Sequence, residues 1–152
     1  MAGWKNRNPA GPNFVPAYQA SGIPFVTSSA VAEVTATPVR VQFPSVTRFV
    51  QVENISAAHL RIGFTKNGIE GKGAVVSGSS GDQRKENDAV HKNYFILGPS
   101  GSTGRLELRC KELWFMRDRG VSAGFSLVAG VTGIRPQDFP PLTGSAGFRG
   151  VG

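Results

Sequence analysis

VRVQFPSVTRFVQVEN, residues 39–54, alternates apolar and polar side chains on either side of a single proline. Val39, Val41 and Phe43 fall on one parity and Arg40 and Gln42 on the other, the period of a half-buried strand. Pro44 ends that run. Beyond it Val46, Val50 and Val52 take one face, and Phe49, Gln51 and Glu53 take the opposite one. Two period-2 runs divided by a breaker read as two strands, not as a helix.

The same pattern continues outward. Upstream, Phe25-Val26-Thr27 and the stretch from Ala30 to Thr35 are rich in β-branched residues and are closed by Pro38. Downstream, Leu60, Ile62 and Phe64 alternate with Arg61, Gly63 and Thr65, and Asn67-Gly68 offers a turn. Tyr94 to Leu97 is a continuous apolar run, expected to be a strand covered on both faces. Leu106, Leu108 and Cys110 alternate with Arg105, Glu107 and Arg109. Leu113 to Met116 follows, and Phe125, Leu127, Ala129 and Val131 close the series. The expected core is Val41, Phe43, Val50, Val52, Leu60, Ile62, Phe64, Leu106, Leu108, Phe125 and Leu127.

About eight strands without crossover helices must pair antiparallel. The fold class expected is therefore all-β, an antiparallel two-sheet sandwich. The Cys…Trp…Cys pattern of immunoglobulin domains is absent, which favours an eight-stranded single jelly roll. The body spans residues 23–132, with a long glycine-rich and charged loop at 66–93. Residues 1–22 form an extended N-terminal arm and residues 133–152 an extended C-terminal tail, both broken by Pro and Gly.

Composition agrees. The chain has 152 residues and 16.1 kDa, enough for one domain with its own core. Twenty glycines and ten prolines interrupt it too often for long helices. No apolar run reaches the ~18 residues of a membrane span. One cysteine excludes an internal disulfide, and with no secretory leader visible the expected site of synthesis is a cytoplasm. The Asn54-Ile55-Ser56 sequon is therefore given no role. The net charge of +7 is spread along the chain, as in Arg105, Glu107, Arg109, Lys111 and Glu112. It reads as a solvated surface with a modest positive bias; complementarity to a protein neighbour is the alternative, and contact with nucleic acid is not favoured.

Chemistry-bearing motifs are sparse. His59 and His91 are the two histidines, and His91 lies beside a flexible charged loop. Cys110 shares the apolar parity of Leu106 and Leu108, so it reads as a buried small hydrophobe. Gly68 to Gly73 contains a lysine but not the G-K-[ST] of a phosphate loop. The expectation is a non-enzyme with no catalytic residue, cofactor or metal. Trp4, Phe14 and Tyr18 in the arm, and Phe139, Leu142 and Phe148 in the tail, are apolar groups on segments unable to form a core. Together with Lys5, Arg7, Arg135 and Arg149 they are the candidate assembly contacts.

Several stretches resemble a known group of proteins. They are Ile23-Pro24-Phe25-Val26-Thr27, Val41 to Val50 around Pro44, Leu60 to Phe64, and Leu106 to Phe115. Across residues 23–132 the pattern resembles the small capsid proteins of large icosahedral DNA viruses. It is most similar to the single jelly-roll penton proteins of algal giant viruses. The resemblance implies a structural virion protein that forms a pentamer at the fivefold vertex of an icosahedral capsid. Its implied neighbours are copies of itself, the major capsid protein in hexameric double jelly-roll capsomers, and other minor capsid proteins. Alternatives are a carbohydrate-binding jelly-roll module, with Trp114 as its aromatic platform, or a decoration or tail protein of the virion.

Overall fold

Seven strands form among the described residues of the computed structural model, which are residues 22–30, 33–70, 93–142 and 151–152. They are β1 (Ile23–Ser28), β2 (Val39–Gln42), β3 (Thr47–Asn54), β4 (His59–Gly63), β5 (Tyr94–Leu97), β6 (Glu112–Arg119) and β7 (Phe125–Val131). One sheet has the order β1-β7-β3 and the other β2-β6-β4-β5, with every pairing antiparallel. Strands adjacent in sequence thus fall mostly in different sheets, an arrangement consistent with a β-sandwich.

The inward parity of each strand supplies the core. Phe115 of β6 stacks on Phe125 of β7 with centroids 3.9 Å apart, joining the sheets at their centre. Phe25 of β1 meets Phe43, just past β2, edge to face at 5.2 Å. Val50, Val52, Leu60, Ile62, Leu113 and Leu127 fill the space between and are buried. Each large side chain of this kind contributes roughly 1.5–3 kcal/mol by leaving water.

Asn54 closes one end. Its Nδ2 donates to the carbonyls of Ala58 (2.7 Å), Leu97 (3.2 Å) and Gly98 (2.9 Å). Its Oδ1 accepts from the Ser56 amide and hydroxyl. One buried amide therefore ties the β3–β4 turn to the turn that follows β5.

The structure corrects several expectations. Leu106, Leu108 and Cys110 do not lie on one regular strand. The β3–β7 register slips between Thr47 and Phe49, and the Thr47 hydroxyl takes a backbone partner's place. That hydroxyl donates to the Leu108 carbonyl at 2.8 Å and accepts from the Cys110 amide at 3.0 Å. The Leu108 amide turns back to the Leu106 carbonyl at 3.0 Å, a three-residue turn that breaks the alternation. Leu108 is consequently 37% exposed instead of in the core, while Cys110 is buried as expected. Val41, Phe64 and Leu106 are half-buried at the rim of the core.

Residues 101–106 still run antiparallel along the second side of β3. Val50 and Leu106 exchange both backbone bonds (2.9 and 2.8 Å), and the Thr103 and Asn54 amides reach the Val52 and Gly101 carbonyls. Ala30 to Thr35 is not a strand: residues 31–32 lie outside the described residues, and Val34 makes an isolated bridge to Ala123.

Asn67-Gly68 is not a hairpin turn but part of a short helix, α1 (Lys66–Glu70). Thr65 acts as its cap, because the Gly68 amide donates to the Thr65 hydroxyl at 2.9 Å. Ile69, fully buried, anchors the helix over the outer face of the four-stranded sheet at Gly63. Tyr94–Leu97 is not covered on both faces. β5 is an edge strand, and Phe95 and Ile96 are exposed on its two sides.

Candidate assembly surfaces

The sandwich has two flanks. On one, β1 and β2 end their respective sheets; on the other stand β5 and the 101–106 segment. Asn54 of β3 bridges to the Leu97 carbonyl of β5 at one end of the second flank. Elsewhere on that flank lies an open apolar groove of about 390 Å³, lined by Phe64, Phe95, Leu97, Thr103, Leu106 and Leu108. Five of the six are apolar. Phe95 stands there because β5 is an edge, and Leu108 because Thr47 displaces the regular ladder. Sequence periodicity placed Leu108 and Phe64 in the core, so the groove was not foreseen. Gly98, Gly101 and Gly104 around it are the available signal that pairing there is irregular.

The outer face of the four-stranded sheet is cationic and aromatic. Arg40, Trp114, Gly63 and Tyr94 form one cross-strand row. The Arg40 guanidinium lies 5.8 Å from the Trp114 ring centre and pairs with Glu112. Arg61 lies 4.3 Å from the Tyr94 ring and bonds Asp118 at 2.7 Å. Burial alone would raise the Asp118 pKa, but the Arg61 and Arg119 bonds and charges outweigh it and hold the carboxyl below its ordinary range. Trp114 is half-buried, with its Nε1 buried and without a hydrogen-bond partner.

The basic row Arg105, Arg109 and Lys111 does not act as one face. Arg105 lies over the Phe49 ring at 4.3 Å and pairs with Glu107 at 2.6 Å. His59 opens β4 opposite Arg119. Among the described residues no three His, Cys, Asp or Glu side chains converge as a metal site would require. Also among them, no helix is long and apolar enough to cross a membrane.

Of the candidate contacts, Trp4, Lys5, Arg7, Phe14, Tyr18, Phe148 and Arg149 lie outside the described residues, as does His91. Arg135 is exposed and forms a 3.0 Å pair with Asp138, and Phe139 and Leu142 are half-buried. The start of the C-terminal tail is fixed to the body: Ile134 is buried, and its carbonyl accepts from the Val46 amide at 3.0 Å. The Pro136–Asp138 turn then packs beside Phe43 and Pro44. Val151 and Gly152 lie against α1, where the Thr65 hydroxyl bonds both carbonyls. Side chains at Gly68 are excluded there, since a Cβ would sit 2.3 Å from the Val151 carbonyl oxygen. No protein-family model, curated protein or solved structure matches the chain.

Proposed function

We propose that this chain is a structural virion protein, a single jelly roll that closes into a pentamer at the fivefold vertex of an icosahedral capsid. The observation that carries the reading is the interleaved strand order. With the 101–106 segment counted as a strand between β5 and β6, eight strands in chain order give sheets 1-8-3-6 and 2-7-4-5. This order supports the jelly-roll reading, in which two Greek keys wrap on each other.

The surfaces fit an assembling body. A closed ring needs a heterologous interface, in which one patch meets a different patch of the next copy. The apolar groove on the β5 flank is one such patch, and the β1–β2 flank, with Ile23 62% exposed, is the other. The arm and tail, through Trp4, Lys5, Arg7, Phe148 and Arg149, then reach the major capsid protein and other minor capsid proteins. The place of action is the virion, after synthesis in a host cytoplasm.

Light scattering on the purified full chain tests the reading. The expected mass is about five times the 16.1 kDa chain, with five-membered rings in negative stain. A monomer at all concentrations that is retained on a sugar resin favours the carbohydrate-binding alternative.

A further inference from the structure

We propose that β5 docks a second copy of this chain by strand addition, its free edge taking the free edge of β1 from the neighbouring copy in antiparallel register. The pairing is the contact of the ring proposed above; it rests on that reading for closure at five copies, not for the pairing itself. Among the described residues the free edges are those of β1, β2, β5 and the 101–106 segment, and they differ in what they expose.

Main-chain parity decides which groups face outward. The Ser29 amide donates to the Phe125 carbonyl in register with the β1–β7 ladder, so Ile23, Phe25 and Thr27 are the residues that bond β7. Pro24, Val26 and Ser28 then point their main-chain groups off the edge, where the missing N–H of Pro24 costs no ladder bond. The Phe43 amide donates to the Lys111 carbonyl in register with the β2–β6 ladder. That parity turns Trp114 and Met116 towards β4 and leaves Leu60 and Ile62 to bond β5. Tyr94 and Ile96 therefore aim both N–H and C=O off the free edge of β5. That edge has no charged residue, proline or bulge, the usual guards against strand addition. By contrast β2 turns out Arg40, held by Glu112, and the 101–106 segment is interrupted by Gly104 at φ 65°.

One register matches the two edges. With Val26 opposite Ile96 and Ser28 opposite Tyr94, both outward residues of each strand exchange their bonds, and Pro24 falls opposite Gly98, past the end of β5. A slip of two residues either sets Pro24 against Ile96, leaving the Ile96 carbonyl without a donor, or carries Tyr94 past the end of β1. In the matched register Val26, 73% exposed, covers Ile96, 44% exposed, on the outer face. On the inner face Phe25 and Thr27 come opposite Leu97 and Phe95, at the mouth of the apolar groove. The core sides of both copies thus share one side of the joined sheet, as continuity requires. Neither strand carries a charge, so no like-charge pair opposes the contact. Since β1 and β5 stand on opposite flanks, each copy offers one of each, which is the heterologous contact a ring needs.

The test is oxidative cross-linking of the full-length chain carrying Val26→Cys and Ile96→Cys. Opposed residues in this register bring their Cα atoms to about 5.5 Å, within disulfide reach. The two sites lie on opposite flanks of one chain, so the bond forms only between copies. Cys110 is buried and is separated by peptide mapping. The pairing predicts a 26–96 disulfide and a covalent ladder in the double variant, with loss of the ladder in either single variant. Dimers cross-linked in Ile96→Cys alone mean that β5 pairs with β5, which overturns the proposal. Rings without a 26–96 bond overturn the pairing and leave the pentamer standing. The bond in multimers that do not close at five upholds the pairing and refutes the pentamer. A monomer without the bond at every concentration overturns both. Val26→Pro is the second check, because it removes the outward N–H of β1 and keeps the ladder to β7. Its melting temperature at low concentration is expected to stay near that of the unaltered chain while association weakens by about tenfold or more. Unchanged association overturns the proposal.

Discussion

Asn54 ties the β3–β4 turn to the end of β5 through one buried amide. It is 2% exposed, and the two hydrogens of its Nδ2 are shared among the Ala58, Leu97 and Gly98 carbonyls. Asn54→Ala removes the donor from one buried and two part-buried carbonyls, and each unsatisfied buried polar group costs roughly 1–3 kcal/mol. The variant is expected to lose about 3 kcal/mol or more, read as a lower denaturant midpoint. Asn54→Asp, which aims a carboxylate at three carbonyls, is expected to be worse still. Its burial also removes the sequon asparagine from any folded-state modification. Ile62, 1% exposed, and Leu108, 37% exposed, make a second comparison on one chemistry. Ile62→Ala is expected to cost about 2–5 kcal/mol, and Leu108→Ala under about 1. Equal losses in a denaturation series contradict the placement of Leu108 at the surface.

Among elements, the 101–111 segment is where sequence and structure part. Period-2 alternation was sufficient for β2, β3, β4 and β7, because one face of each packs on the core and the other does not. It failed at Leu108 because a side-chain hydroxyl, Thr47, competes with the ladder, and alternation contains no record of a bulge one strand away. α1 was missed for a related reason. Asn-Gly is a strong hairpin signal, but Thr65 caps a helix whose Ile69 has a flat seat at Gly63. The groove was illegible because it is a property of the flank between two edges, not of any one strand.

The same element carries a pH dependence. Burial foremost, with the Glu112 charge adding and the Thr47 hydroxyl opposing, pushes the Cys110 thiol up from 9.0 to about 11. The folded chain then holds the proton more tightly than the unfolded chain. Stability from this group is intact below pH 9.0 and is lost as pH rises towards about 11. A shift of this size carries on the order of 2–3 kcal/mol. Cys110→Val keeps the apolar volume and removes the thiol. Its melting temperature is expected to fall less than that of the unaltered chain between these pH values. Parallel curves exclude the thiol as a cause.

At the scale of the molecule, the question is what a sandwich gains from an unsealed flank. Closing the gap between β5 and the 101–106 segment would take larger side chains or another strand. The chain instead leaves Phe95 and Leu108 exposed beside the core. In a monomer this apolar opening is a liability, and in a ring it is the contact. Leu108→Asp separates the two cases, since position 108 contributes little to the monomer's core. A charge placed there has water available while the chain is alone and none once a neighbour covers the groove. The melting temperature of dilute protein is expected to stay within about 0.5 kcal/mol equivalent of the unaltered chain. Association through a contact of this kind is expected to weaken by about 2 kcal/mol or more per interface, roughly 30-fold. Sedimentation velocity across a concentration series reads both states. Because a ring repeats the contact at every interface, the loss compounds, and on the proposed function Leu108→Asp should sediment as monomer at concentrations where the unaltered chain forms the proposed pentamer. Rings that survive the substitution would mean the copies meet elsewhere. The interface would then lie on the β1–β2 flank or the outer face of the four-stranded sheet, with the groove facing a different neighbour.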